Sequence, residues 1–351
     1  MNLNRDKQIL LFLIKDPNKK SWIVIIREFI MLLFSKKELP KYYITNLLYR
    51  KNVHNYKKYL SFKENRKLLI WSQSQANSQI NLVQNKLLFG EFLIKNNIPT
   101  PKIYCHNSKT EFTYNNDVFQ INSKNDLLVF FENIFIAENI SHILCKPIDS
   151  GLGKNIFILD KLNLCDLDDN LIHLFISKSF IFQELILQHE VLKKINDTSL
   201  NTLRIVTYKT KSNKVEILSG FIRIGRKGAI VDNAHAGGIV IALNKETGEI
   251  RSEGLQLIDN GGGIFYKHPD SGVVFEGIQI PHYQQVKQIV TKATKLLNFP
   301  LLGWDVAIHP DGPVIIETNH NFHLMLSDRM ENVLKNNVVF NELMKQIENK
   351  N

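Results

Sequence analysis

Near the C-terminal end two apolar runs flank a turn: Leu301-Leu302-Gly303-Trp304-Asp305-Val306-Ala307-Ile308, then His309-Pro310-Asp311-Gly312, then Pro313-Val314-Ile315-Ile316-Glu317-Thr318-Asn319. Pro and Asp-Gly reverse a chain, and the flanks are rich in β-formers, so the segment predicts a hairpin. A regular hairpin centred on Asp311 sets Asp305 opposite Glu317, and Asn319 shares Glu317's face by the period of two. Two carboxylates and an amide oxygen on one side of an apolar hairpin repel unless a hard cation lies between them. Oxygen donors of this kind suit magnesium, completed by water and phosphate. The competing reading is polar residues on the solvated face of an edge hairpin.

The rest of the chain must supply layers that bury such a hairpin. Its 351 residues exceed the roughly 250–300 at which single cores stop growing, so two or three subdomains are expected. Apolar residues at 44% and charged residues at 22% are ordinary for a globular protein. With 44 basic and 34 acidic residues the net charge is +10, which favours an anionic partner without choosing one. No zinc-finger spacing or aromatic RNA-binding signature accompanies that charge, so nucleic acid is not expected. Cys105, Cys145 and Cys165 form neither a CxxC pair nor an even framework; they read as small hydrophobes in a reducing cytoplasm. The Trp22 to Phe34 stretch is interrupted by Arg27 and Glu28 and falls short of the ~20 residues that span a bilayer.

Residues 1–75 read as basic helices, with Ile23, Ile26, Ile30 and Phe34 at helical spacing. Lys41, Arg50, Lys51, Lys57 and Lys58 alternate with tyrosines and leucines there. This region is read either as a helical cap on the body or as an arm on an anionic membrane surface. A helix is expected over 78–97, ended by Ile98-Pro99-Thr100-Pro101. Strands are expected over 143–147, 155–159, 180–186, 203–208, 215–224 and 239–243. Hairpin-like succession without βαβ alternation argues for an α+β fold over a doubly wound sheet. The Gly261-Gly262-Gly263 cluster marks a loop in a long irregular stretch that is expected to be functional. Residues 76–330 are taken as the main domain and 331–351 as a C-terminal helix or tail.

Three further segments carry chemistry. In Ile143-Leu144-Cys145-Lys146-Pro147-Ile148-Asp149-Ser150-Gly151-Leu152-Gly153-Lys154 a lysine ends a strand before a loop with two glycines. Glycines let backbone N–H groups approach an anion while the lysine supplies a point charge, so Lys146, Ser150, Gly151 and Gly153 are candidate phosphate contacts. The alternative is an ordinary surface turn. Arg204 in Leu203-Arg204-Ile205 and Arg223 in Ile222-Arg223-Ile224 each interrupt an apolar strand and need an anionic partner, either a ligand phosphate or carboxylate or a buried structural carboxylate.

Together these pieces resemble the ATP-grasp superfamily and, within it, the sugar-transfer-associated ATP-grasp family, related to alpha-L-glutamate ligases. The likeness covers roughly residues 80–325. It rests on Gln183-Glu184 with His189, Asn201-Thr202-Leu203-Arg204-Ile205-Val206-Thr207, Val231-Asp232-Asn233, Gly237-Gly238-Ile239 and Gly303-Trp304-Asp305-Val306-Ala307. The resemblance implies an ATP-grasp fold, two α+β lobes gripping nucleotide, here with an N-terminal helical extension. It implies that Lys86 and Lys146 hold ATP phosphates, that Gln183, Glu184, Leu185 and Ile186 form a hinge facing adenine, and that Glu190 meets ribose. Arg204 and Arg223 would act catalytically on phosphate or acyl phosphate, and Asp305, Glu317 and Asn319 would bind Mg2+. Asn233, Gly237 and Gly238 would form a substrate-side loop, with His320 beside it. Two departures stand out: His320-Asn321 follows Asn319 where many relatives have Pro-Gly, and Asn85 replaces the aspartate that commonly precedes the first lysine. His320 and His323 are read either as bases or as surface histidines.

The implied activity is carboxylate–amine ligation through an acyl phosphate on a component of surface polysaccharide biosynthesis. Two alternatives are a kinase that phosphorylates a saccharide or other hydroxyl, and a non-catalytic ATP-binding part of an assembly complex. The expected partners are carboxylate and amine substrates, and the expected location is cytoplasmic, with peripheral membrane contact through the N-terminal helices left open.

Overall fold

The computed structural model describes residues 3–149, 155–229 and 232–348. The chain forms two compact units. One comprises Met1–Gln79, Gln188–Pro313 and Thr318–Asn351; the other comprises Ile80–Leu187 and Val314–Glu317.

The second of these is built on six strands: β1 (Ile103–Ser108), β2 (Glu111–Tyr114), β3 (Asp117–Gln120), β4 (His142–Pro147), β5 (Phe157–Asp160) and β6 (Phe180–Gln183). Their order is β3-β2-β1-β6-β4-β5, with every pairing antiparallel. The helix Lys124–Ala137 covers it because Leu127, Phe130, Phe131, Ile134 and Phe135 recur at i, i+3, i+4, i+7 and i+8 and are buried. Ser123 and Asp126 start that helix with a capping box. The core is aromatic: the Phe182 ring lies 5.8 Å from that of Phe112 and 5.0 Å from that of Phe131.

The other unit carries β7 (Leu203–Lys209), β8 (Val215–Ile224), β9 (Ile239–Leu243), β10 (Ile250–Gln256), β11 (Gly263–Phe265), β12 (Leu301–His309) and β13 (Gly312–Asn319), in the order β11-β10-β9-β8-β7-β12-β13. Residues 314–317 of β13 group with the second unit. Helix Tyr283–Leu296 packs through Val286, Val290, Ala293 and Thr294. Thr207 ties it down: its hydroxyl lies 2.9 Å from that of Thr294 and accepts the Trp304 indole N–H at 2.9 Å. Helices Leu3–Lys15, Trp22–Lys36, Lys41–Thr45 and Phe62–Ser74 share a core with Val206, Leu218, Phe221 and Val240 of the sheet and with helices Leu324–Met330 and Val338–Glu348.

That core corrects the reading of the tyrosines between residues 41 and 59. Tyr42, Tyr43, Tyr49 and Tyr59 are buried rather than facing a membrane. Two of the phenols end on buried acids: Tyr43 Oη donates to Glu28 Oε2 at 2.6 Å and Tyr49 Oη to Asp16 Oδ2 at 2.8 Å, while Tyr59 Oη donates to Asn332 Oδ1 at 2.9 Å. Arg50, expected on the surface, is buried with Nε 2.7 Å from Asp16 Oδ2. Lys20 answers Glu28 at 2.8 Å.

Other differences have local causes. The helix expected over 78–97 is broken at Asn85, whose side chain caps a fresh helix, Lys86–Lys95. The strand expected to reach 186 stops at Gln183, and β2 and β3 were not expected; β3 is exposed along its whole length and so has no apolar alternation to read. Cys105 and Cys145 are buried and their thiols are pushed up by burial, but Cys165 is exposed. The Gly261–Gly263 cluster has a packing reason: Gly262 sits at φ +66°, and a Cβ there would lie 2.4 Å from the Phe12 ring.

The Arg50–Asp16 pair yields a first prediction. Arg50→Ala strands a buried carboxylate and should cost about 3–5 kcal/mol, read as a lower urea midpoint; a midpoint within error of wild type would mean the pair contributes nothing.

Candidate active site

In the second unit, Asn85 sets the position of Lys86. Its side-chain oxygen accepts the Leu87 and Leu88 N–H groups at 3.0 Å each, which makes Lys86 the first residue of its helix. Aspartate would cap in the same way, so the Asn85 departure leaves the lysine's position unchanged. The Lys86 backbone N–H and its Nζ both donate to the Ile148 carbonyl, each at 3.4 Å. Ile148 directly follows β4, which carries Lys146. The two ammonium groups therefore share one end of this strand.

Their electrostatics follow from that placement. Burial pushes Lys146 down to about 8, with Glu317 opposing the shift and the Lys86 charge adding to it. Lys86 is also lowered, by burial first, against attraction from Glu317 and Asp149. Residues 314–317 are anchored beside Pro99 and Thr100: Ile315 N–H donates to the Pro99 carbonyl at 2.9 Å, and Thr100 Oγ1 to the Ile315 carbonyl at 3.1 Å. Two like-charged ammoniums crowded in a partly dry space are costly unless an anion joins them.

The hinge candidates begin at the end of β6. Gln183 pairs with Ile103 on one side and Leu144 on the other. Glu184 exchanges bonds with Lys102: its N–H donates to the Lys102 carbonyl at 2.8 Å, and its Oε2 accepts the Lys102 N–H at 3.1 Å. Leu185 is exposed and Ile186 buried, and the chain passes from one unit to the other between Leu187 and Gln188. Ser150, Gly151 and Gly153 lie outside the described residues.

In the first unit the two arginines meet a carboxylate of their own chain. Asp305 on β12 stands directly opposite Arg204 on β7, and Arg204 opposite Phe221 on β8. Arg223 is two residues beyond Phe221, hence on the same face. Arg204 Nε donates to Asp305 Oδ1 and Nη2 to Oδ2 at 3.0 Å; Arg223 Nη2 reaches the same Oδ2 at 2.9 Å. Arg223 continues to Thr202, with Nη2 2.6 Å from its hydroxyl. Thr202 in turn donates N–H and hydroxyl to Asp232 Oδ2, both at 2.6 Å. Burial raises Asp232, while Arg223 and Thr202 pull it back.

Thr202 and Asp232 were quoted in the sequence motifs without a role, and they complete this chain of contacts. Arg223 Nε itself lies 3.7 Å from Asp232 Oδ2. The Asn233–Gly238 segment closes behind Asp232: Gly238 N–H donates to the Asn233 carbonyl at 3.2 Å, and a Cβ on Gly238 would lie 2.3 Å from the Asp232 carbonyl oxygen. The Gly237 carbonyl accepts from Gln256 at 2.7 Å.

The remaining candidates of this unit are Glu190, Asn319 and His320. Glu190 is exposed at the start of a one-turn helix, Glu190–Lys193, 3.4 Å from Lys193. Asn319 ends β13. His320 is buried, with its ring 5.4 Å from that of Phe299, and burial lowers its affinity for a proton; the surface reading holds for His323 alone.

A model of the sugar-transfer associated ATP-grasp family matches residues 68–348, and the chain belongs to that family. Among solved structures it resembles the ATP-grasp ligase PsnB complexed with a phosphomimetic variant of a minimal precursor, Mg and ADP, at 13% identity over 77% of this chain and 58% of that one, TM-score 0.41. It also resembles N5-carboxyaminoimidazole ribonucleotide synthetase from Thermotoga maritima, at 10% identity over 74% and 49%, TM-score 0.38. A third is carboxyaminoimidazole ribonucleotide synthase from Aspergillus clavatus complexed with ATP, at 14% identity over 74% and 52%, TM-score 0.44. The chain spans 49–58% of the length of these three structures. No curated protein matches it.

The double clamp on Asp305 generates a prediction about stability. Asp305→Ala leaves two guanidiniums without their shared carboxylate and should cost about 3–5 kcal/mol, and Asp305→Asn, which keeps the shape and one acceptor but loses the charge, should cost nearly as much. Chemical denaturation of the two variants compares them; a loss in Asp305→Asn well below that in Asp305→Ala would mean that charge pairing is not what Asp305 supplies.

Proposed function

We propose that this chain is an ATP-dependent carboxylate–amine ligase that works with magnesium on a component of surface polysaccharide biosynthesis. The observation that carries the reading is the pair Lys86 and Lys146, crowded at one strand end with Lys146 lowered to about 8. Family membership and the oxygen donors of the hairpin support it.

A substrate carboxylate oxygen attacks the γ-phosphorus of ATP, the bond to the β-phosphate oxygen breaks, and ADP leaves. An amine then attacks the acyl carbon, phosphate departs with the bond's electron pair, and the new ammonium gives up its proton. Lys86 and Lys146 hold the phosphates and offset the charge that moves during transfer. Gln183, Glu184, Leu185 and Ile186 serve the adenine, Glu190 the ribose. Arg204 and Arg223 offer planar donors to phosphate or acyl-phosphate oxygens. Asn233, Gly237, Gly238 and His320 are assigned to the acceptor.

Asp305, Glu317 and Asn319 are the residues assigned to hold magnesium. Their donor atoms are all hard oxygens, and magnesium commonly takes one or two carboxylates and fills its shell with phosphate and water. Bound there, the ion neutralises phosphate charge. Asp305 already carries two guanidiniums, so the phosphates, rather than a bare ion, are what would draw the arginines away from it.

The test is release of ADP and of free phosphate from Mg-ATP, with pooled amino acids, amino sugars and uronic acids. Free phosphate that appears only when carboxylate and amine are both present, and that falls about a hundredfold in Lys146→Ala, is the expected result. Phosphate retained on the acceptor would replace the ligase with a kinase.

Lys146 also sets a pH dependence. Its ammonium, the form that attracts phosphate, is lost as pH rises through about 8. Mg-ATP affinity should therefore weaken several-fold between about pH 7 and pH 9. Lys146→Arg should abolish that slope, since a guanidinium stays protonated. Isothermal titration checks both, and a flat wild-type profile would remove Lys146 from the phosphate site.

A further inference from the structure

The helix Trp22–Lys36 is amphipathic in the wrong sense for a surface helix. Its inward face buries Ile25, Glu28 and Leu32, and Glu28 needs Lys20 and Tyr43 to be accommodated there. Its outward face is more apolar: Ile23 is 81% and Phe34 75% exposed, with Ile26 and Ile30 exposed between them. At 100° per residue these four lie within one narrow stripe. Trp22 and Leu33 are exposed along its border, and Leu39 just beyond the helix. The preceding helix, Leu3–Lys15, adds exposed Leu10, Leu11 and Ile14. Lys19 joins the two, its Nζ 2.9 Å from the Ile14 carbonyl and 6.0 Å from the Trp22 ring centroid.

Scattered exposed leucines need no explanation, but a continuous stripe on one helix does. The charges around it indicate the occupant. Residues 1–41 hold nine lysines and arginines against four acids. The acids are engaged internally: Asp16 with Arg50, Glu28 with Lys20, Asp6 with Lys41, and Glu38 with the backbone N–H groups of Phe62 and Lys63. Lys7, Lys15, Arg27 and Lys37 remain exposed beside the apolar residues. An apolar stripe with a cationic border matches the interface of an anionic bilayer, where acyl chains take the stripe and headgroups take the lysines. The helix has 15 residues, about 22 Å at the α-helical rise, and no helix among the described residues is long and apolar enough to cross a membrane.

We propose that the face of Trp22–Lys36 carrying Ile23, Ile26, Ile30 and Phe34, together with Arg27 and Lys37, docks the protein onto anionic membrane surfaces. The helix lies in the interface plane, and Trp22 sits at headgroup depth. This is independent of the ligase reading and concerns where the protein works rather than what it does.

The experiment is flotation of the full chain with vesicles of phosphatidylcholine alone or mixed with phosphatidylglycerol, with Trp22 emission followed in parallel. The expected result is flotation with the mixed vesicles only, weakened by salt, and a blue shift that Trp22→Phe removes. Ile23→Ser/Phe34→Ser should lower binding at least about tenfold, and Arg27→Gln/Lys37→Gln by about tenfold or more. All four positions are exposed, so thermal melting should stay at the wild-type midpoint. Failure to float, equal flotation with neutral vesicles, or a dimer in sedimentation that Ile23→Ser/Phe34→Ser disperses would overturn the proposal, the last by assigning the face to a second copy.

Discussion

Asp305 is a carboxylate 2% exposed on an inner strand, and much of the first unit is arranged so that it can stay charged. A lone buried carboxylate would protonate or unfold its surroundings; two guanidiniums, one from the adjacent strand β7 and one from β8 beyond it, remove that penalty. The arrangement requires β12, β7 and β8 to hold one register, because a slip of one residue would turn Arg204 away from Asp305. The consequences spread outward. Arg223 needs a second acceptor and finds Thr202; Thr202 leans on Asp232; Asp232 is backed by a segment that only glycine at 238 can close. A polar network of this kind specifies register more than it adds stability.

The two units treat buried positive charge in opposite ways. In the first, two arginines are matched by two aspartates, and the arginines cannot escape by losing protons. In the second, two lysines face Glu317 and Asp149, and burial and mutual repulsion push Lys146 down to about 8. Lysine can relieve such crowding by shedding a proton, so a site can be left short of negative charge without unfolding. The arginines have no such relief and are held instead by Asp305 and Asp232.

What could be read from the sequence follows from how local each signal is. The hairpin of residues 301–319 and the strands at 203, 215 and 239 were legible because apolar runs bounded by turn residues need no tertiary information. An arginine inside an apolar run announces an anionic partner, yet nothing local says whether that partner is a ligand or Asp305, about a hundred residues away along the chain. Thr202 and Asp232 were invisible as partners for the same reason. Asn85 misled in the other direction: five apolar positions continue across it at helical spacing, and only the capping bonds reveal that one helix ends and another begins.

The N-terminal helices show why apolar periodicity alone cannot say which face of a helix is inside. Ile23, Ile26, Ile30 and Phe34 form the cleaner stripe, and by hydrophobic patterning they should pack on the core. The core instead takes Ile25, Glu28 and Leu32, because Tyr43 and Lys20 give Glu28 the bonds that make its burial tolerable. A fold that accepts a buried carboxylate while leaving three isoleucines and a phenylalanine in water has exchanged the ordinary preference for its reverse. Such a reversal costs solubility in every environment except one that is itself apolar, so the exposed stripe has to be accounted for by what it meets.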